Sequence, residues 1–182
     1  MRELALHILD ILQNTVEAGA SQVELTIDED PGSDRLAVMV RDNGRGMDTA
    51  TAARSVNPFF TSRTTRHVGL GLPLLAAATE RAGGQLSIQS RPGHGTTVTA
   101  SFQLSHPDRQ PLGDMGSTLL TFLLSEKAVD LRYSHRTGAG TFDLDTAAIR
   151  GELGDELDFA NPVVRQWLAG FLQEGEQAVR TF

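Results

Sequence analysis

A chain of 182 residues with 40% hydrophobic side chains is long enough for one well-filled core and a small appendage. Its net charge of −7, with no run of Lys and Arg, argues against a nucleic-acid partner, and the lack of cysteine excludes disulfides and thiolate-held zinc or iron–sulfur centres. No basic, apolar, small-residue leader opens the chain, and its longest apolar stretch, near 119–124, is too short to cross a bilayer, so a soluble cytoplasmic protein is expected.

Apolar Leu4, Ile8, Ile11 and Leu12 recur at helical spacing over 3–18, and Gly19 supplies a stop. Alternating segments at 22–28 and 35–41, joined by Asp30-Pro31-Gly32-Ser33-Asp34, read as a hairpin. A glycine-rich loop at 42–47, a short Ala-rich helix and a polar stretch at 54–68 come next. A helix over 70–82 closes at Gly83-Gly84, before strands at 85–91 and 96–104 that are split by Pro92-Gly93-His94-Gly95. Residues 106–114 have linker composition. Beyond them the pattern predicts a helix at 116–126, strands at 129–136 and 139–144, and a helix at 146–152 capped by Asp145. Asn161 and Pro162 open a last helix whose stripe of Val163, Val164, Trp167, Leu168, Phe171 and Leu172 should be core, with Gly175 as its end. A docking or dimer surface is the other reading of that stripe.

Three stretches carry chemistry. Glu3, His7, Asp10, Asn14 and Glu17 share one face of the first helix, a pattern that a solvated face would also give. His7 is expected at the helix surface or behind the site. The loop Asp42-Asn43-Gly44-Arg45-Gly46 follows a strand, and its glycines allow close approach, although an ordinary turn has the same residues. From Ala50 to Thr79 there is no Asp or Glu, while hydroxyls, arginines and glycines precede a helix start, which suits an anion. A Walker loop is excluded because the only lysine is Lys127. The histidines at 67, 94, 106 and 135 lack the spacing of zinc ligands.

Taken together, Asp10-Ile-Leu-Gln-Asn14, Asp42-Asn-Gly-Arg-Gly46, Asn57-Pro-Phe-Phe, Gly69-Leu-Gly71-Leu and Gly93-His-Gly95-Thr96 resemble, in order, the five boxes of the histidine-kinase-like ATPase superfamily with its Bergerat fold. The resemblance covers about residues 1–105. Within that group the chain looks most like stand-alone bacterial ATP-binding proteins associated with iron-only hydrogenase and related redox subunits. It implies an α+β two-layer sandwich with a mixed, mostly antiparallel sheet and an ATP-binding domain over 1–105; beyond the linker, the elements read at 115–182 form a small α+β extension, for which docking or dimerisation is the alternative to a purely core-building role.

The same resemblance assigns roles. Asn14 is expected to hold Mg²⁺ through its amide oxygen. Asp42 should accept the adenine amino group, supported by Thr96, with Gly44 and Gly46 admitting base and ribose. Gly69 and Gly71 should start a helix facing the phosphates, and Arg63 and Arg66 should contact phosphate from a mobile lid. Asp10 stands one turn before Asn14, where the superfamily's ATPases and serine kinases carry Glu as general base; its shorter side chain also suits a supporting carboxylate. No phosphoacceptor helical hairpin precedes residue 3, so the reading is a phosphotransferase acting on a separate protein. A slow ATPase switch, or an ATP-sensing scaffold, is the alternative.

Overall fold

Burial of period two along the strands and period 3.6 along the helices sorts the chain into a sheet and a helical layer. The computed structural model describes residues 3–57, 71–125, 129–154 and 158–180. Helix α1 (Leu4–Glu17) leads into β1 (Gln22–Asp30), β2 (Arg35–Asp42), α2 (Thr49–Arg54), α3 (Gly71–Arg81), β3 (Gln85–Ser90) and β4 (Thr96–Gln103). Then come α4 (Met115–Leu123), β5 (Asp130–Thr137), β6 (Gly140–Asp145), α5 (Thr146–Leu153) and α6 (Pro162–Val179). Among the described residues the strands form one sheet in the order β3-β4-β2-β1-β5-β6. Only β1 with β5 is parallel; the other pairings are antiparallel. This is the two-layer α+β sandwich that the motif order implies.

Alternation along each strand turns Val23, Leu25, Ile27, Leu36, Val38, Val40, Leu131 and Tyr133 inward, all of them buried. Helices α1, α4 and α6 pack side by side over that face, with α3 beside α1 above β3 and β4. The opposite face carries Glu24, Thr26, Met39 and Thr97, and stays more open.

Beyond residue 114 the chain builds onto this sandwich. Strands β5 and β6 extend the sheet from β1, while α4 and α6 join the helical layer. The segment before α4 is strapped across the start of α1. Pro111 and Leu112 carbonyls accept the Leu4 and Ala5 amides at 3.0 and 2.8 Å, satisfying two of the amides that a helix start leaves free.

Helix α6 corrects two expectations. Asn161 does cap it, its side-chain oxygen accepting the Val163 amide at 3.0 Å, but the helix runs through Gly175 to Val179. Gly175 is a packing residue: a Cβ there would lie 2.2 Å from the Phe142 ring. The apolar stripe also divides. Leu168 and Leu172 are fully buried, Val164 is partly buried, and Val163, Trp167 and Phe171 are 76%, 47% and 36% exposed. A helix lying on one sheet edge presents only one narrow arc to the core, and the second half of the stripe falls outside that arc.

Candidate nucleotide site

The geometry of the site begins with α1. Asp10 and Asn14 are four residues apart, so both half-buried side chains lie on one face. Ile11, Asn14 and Thr15 line a cavity of about 410 Å³, closed elsewhere by Asp42, the 45–48 loop, Thr51 and Ser55 near α2, Leu72 on α3, Pro92, Thr96 and Val98. Its size, with the apolar Ile11, Met47, Leu72 and Val98 set among polar side chains, suits a small organic ligand that has both an apolar and a polar part.

Asp42 ends β2 on the cavity floor, only 8% exposed. One carboxylate oxygen accepts the Gly44 amide at 2.8 Å. Burial raises the Asp42 pKa, while the backbone amides of Gly44 and Thr96 pull it the other way by hydrogen-bonding the charged form. The second carboxylate oxygen is the chemically suitable acceptor for an exocyclic N–H.

Gly44 and Gly46 make their closest approaches to protein. A Cβ on Gly46, where φ is +65°, would sit 2.0 Å from the Arg91 carbonyl oxygen, and one on Gly95, where φ is +80°, would sit 1.9 Å from that of Asp42. A Cβ on Gly44 would meet Ala18 at 2.9 Å. The loop after β2 and the turn before β4 therefore interlock through bare backbone. Arg45 ties them further: its amide donates to Ala18 at 2.9 Å and its carbonyl accepts from Gly93 at 2.7 Å.

Asp10 meets the start of α3. Gly71 is buried there, and a Cβ on it would lie 2.9 Å from the Asp10 Cβ and 3.2 Å from a carboxylate oxygen. The first α1 turns and the α3 N-terminus, with its positive dipole end, thus lie side by side. Arg63, Arg66 and Gly69 lie outside the described residues.

The Thr96 hydroxyl is bonded to Ser90 Oγ at 2.8 Å; its help to Asp42 comes from the backbone amide. One sequence expectation, that for His7, changes. His7 is buried, 1% exposed, because the strap at 109–112 covers the first turns of α1. Its Nε2 is 3.1 Å from the Gln110 side-chain oxygen, Nδ1 has no hydrogen-bond partner among the described residues, and burial lowers its pKa.

Sequence reasoning passed over Asn43 and Ser90. Asn43 accepts the Ser21 and Gln22 amides at 2.9 and 3.0 Å, fastening the loop to the start of β1. Ser90 pairs with Thr96 across the hairpin, so its sheet register was the signal that could have found it.

The model of histidine kinase-, DNA gyrase B- and HSP90-like ATPases matches residues 2–106. The chain therefore belongs to that ATPase family, with an ATP-binding domain of the kinase-like type. Among proteins with similar sequences, the sensor protein kinase FleS of Pseudomonas aeruginosa is 41% identical over 92 residues, covering 50% of this chain and 23% of FleS. A sensor protein of Shewanella frigidimarina is 32% identical over 103 residues, 56% of this chain and 16% of that one. The histidine-protein kinase AtoS of Escherichia coli is 34% identical over 100 residues, 54% and 16% respectively. The matched part is thus less than a quarter of these relatives. A crystal structure of the N-terminal domain of a DNA repair protein superposes with a TM-score of 0.57 at 16% identity, covering 80% of this chain and 52% of that one, which shows a shared fold.

The family implies ATP, usually with Mg²⁺. Asn14, on the cavity wall, carries an amide oxygen of the kind that this cation takes from protein. Mg²⁺ characteristically takes one or two protein oxygens and fills its remaining positions from phosphates and water. Among the described residues no helix is long and apolar enough to cross a membrane.

Proposed function

We propose that this protein binds Mg-ATP in the cavity between α1, α3 and the glycine loops, and transfers the γ-phosphoryl group to a separate signalling or redox protein in the cytoplasm. The observation that carries the reading is the placement of Asp10 beside Asn14 on α1 and against Gly71 at the start of α3. A base candidate then stands one turn before a cation ligand on α1, with the start of α3 beside it. Asn14 holds the cation, which neutralises phosphate charge when bound. Asp42 accepts the adenine amino group, Arg63 and Arg66 are the phosphate contacts, and Gly69 and Gly71 begin the helix that faces the phosphates.

In the transfer, an acceptor oxygen or nitrogen on the partner forms a bond to the γ-phosphorus as the bond to the β,γ-bridging oxygen breaks. Asp10 takes the proton from the acceptor, and ADP leaves with the bridging oxygen's charge. The proposal extends to the partner class named above and to a role for residues 115–182 in docking it.

Incubating the protein with γ-labelled ATP and bacterial lysate is expected to label one partner. Asp10→Asn should abolish labelling but keep the ATP-induced rise in melting temperature, Asp42→Ala should lose both, and Asn14→Ala should weaken the shift. Phosphate release without a labelled protein would replace transfer by hydrolysis. A melting temperature unmoved by saturating Mg-ATP in the wild type would remove the ATP site itself.

A further inference from the structure

The interlock of the two glycine loops has one side chain at its centre. Ser90, the last residue of β3, accepts the Met47 amide on its hydroxyl oxygen at 2.8 Å. It donates to the Gly95 carbonyl at 3.1 Å, and its oxygen lies 2.8 Å from the Thr96 hydroxyl. A serine has one proton to give, so with that proton on Gly95 the Thr96 hydroxyl becomes the donor of the third bond. One half-buried hydroxyl thus joins the loop after β2, the turn before β4 and the first residue of β4. Met47 and Thr96 both line the cavity; Ser90 does not.

We infer that Ser90 is a positioning residue of the nucleotide pocket: its hydroxyl holds the 42–47 loop in register with the β3–β4 turn, so that Asp42 and the cavity floor are set before ligand arrives. The inference rests on the reading of this cavity as the ATP site. The backbone contacts at Gly46 and Gly95 fix how closely the two loops approach. Those contacts are not directional; the Gly93 amide's hydrogen bond to the Arg45 carbonyl is, and it ties the two loops at one point. The Ser90 hydroxyl adds a second directional tie, at Met47, through hydrogen bonds to both loops.

Removing the hydroxyl frees the half-buried Met47 N–H, which water can reach, while the Gly95 carbonyl keeps the Arg91 amide at 3.4 Å. Global stability then changes little, since water replaces the lost partners. The loosened loop must instead be ordered when ligand binds, so the loss appears in affinity.

The test is ATP titration by calorimetry at 20 °C on the whole chain: wild type, Ser90→Ala, Ser90→Thr and Asp42→Ala. Ser90→Ala is expected to bind ATP about tenfold more weakly, a loss of the size that one or two hydrogen bonds produce. The nucleotide-free melting temperature should move by only about 3 °C. Ser90→Thr, which keeps the hydroxyl, should restore the affinity to within about threefold. Exchange of the Met47 amide in the nucleotide-free protein should be faster in Ser90→Ala than in the wild type.

Equal ATP affinity in Ser90→Ala and wild type would overturn the inference, even if the melting temperature fell, because that is the pattern of a purely structural residue. Should Ser90→Ala not fold, Ser90→Cys, nearly the same shape with a weak hydrogen-bonding group, takes its place under the same criterion. Binding in the wild type that Asp42→Ala abolishes and Ser90→Ala leaves intact defeats the Ser90 inference alone. No binding in the wild type defeats the ATP reading, and this inference with it.

Discussion

At the scale of residues, a buried ionic cluster lies away from the cavity beside α1. His135 on β5 is held between Glu176 on α6, 3.1 Å from Nδ1, and Glu29 on β1, 3.3 Å from Nε2. Tyr133 donates to the other Glu176 oxygen at 2.6 Å. Burial opposes charge on His135, but the hydrogen bonds and negative charges of the two glutamates outweigh it and raise its pKa to about 9. Hydrogen bonding to His135 holds Glu29 below its ordinary range. Glu3, Asp114 and Arg180 border the same cavity as this cluster. A histidine with a raised pKa gives stability that is complete below its unfolded value near 6.5 and is lost as pH rises through 9. His7 has the opposite sign: its lowered pKa withdraws stability as pH falls below 6.5. Chemical denaturation from pH 5 to 10 should therefore show an alkaline decline that His135→Gln removes and an acid-side decline that His7→Gln removes. An alkaline limb unchanged in His135→Gln would show that the cluster does not hold α6 to the sheet.

At the scale of elements, α6 shows that one helix carries two unequal apolar faces. Leu168 and Leu172 are fully buried, whereas Trp167 and Phe171 stack on each other outside with ring centroids 5.5 Å apart. Leu172→Ala should cost about 2–5 kcal/mol by urea unfolding, the range for deleting a packed leucine, and Val163→Ala within about 0.5 kcal/mol. Gly175→Ala should destabilise by about 1–3 kcal/mol through overpacking against Phe142, although alanine is the better helix former. A Gly175→Ala protein as stable as the wild type would mean that the Phe142 ring turns aside freely. The hydrophobic period announced this helix and its cap clearly. It did not say which half of the stripe met the core, because a period repeats along one chain and the arc that is covered depends on a second element.

At the scale of the whole molecule, residues beyond 114 complete the sheet that holds the site. Strand β5 pairs along β1 from Gln22↔Asp130 to Asp28↔Arg136, and α4 packs on α1, the helix that carries Asp10 and Asn14. A chain ending at Gly113 would leave β1 as an open edge and uncover the α1 side that α4 occupies. Its thermal transition is expected to broaden and its ATP-induced shift to vanish, checked by calorimetry and gel filtration. A sharp transition with the shift intact would make residues 115–182 dispensable to the site.

The amino-acid sequence alone determined the order of elements, the capping residues Asp145 and Asn161, and the glycine loops, because these depend on local backbone preference and hydrogen bonds between near neighbours. It also brought Asp10, Asn14, Asp42 and Thr96 together as candidates, since their motifs are short. Only the tertiary structure decided that His7 lies under a strap, that Gly46, Gly95 and Gly175 make room for backbone or a ring, and that Ser90 joins two loops. It also decided that β5 lies parallel to β1. Each of these depends on what a residue meets from a distant part of the chain, and neither spacing nor propensity carries that information.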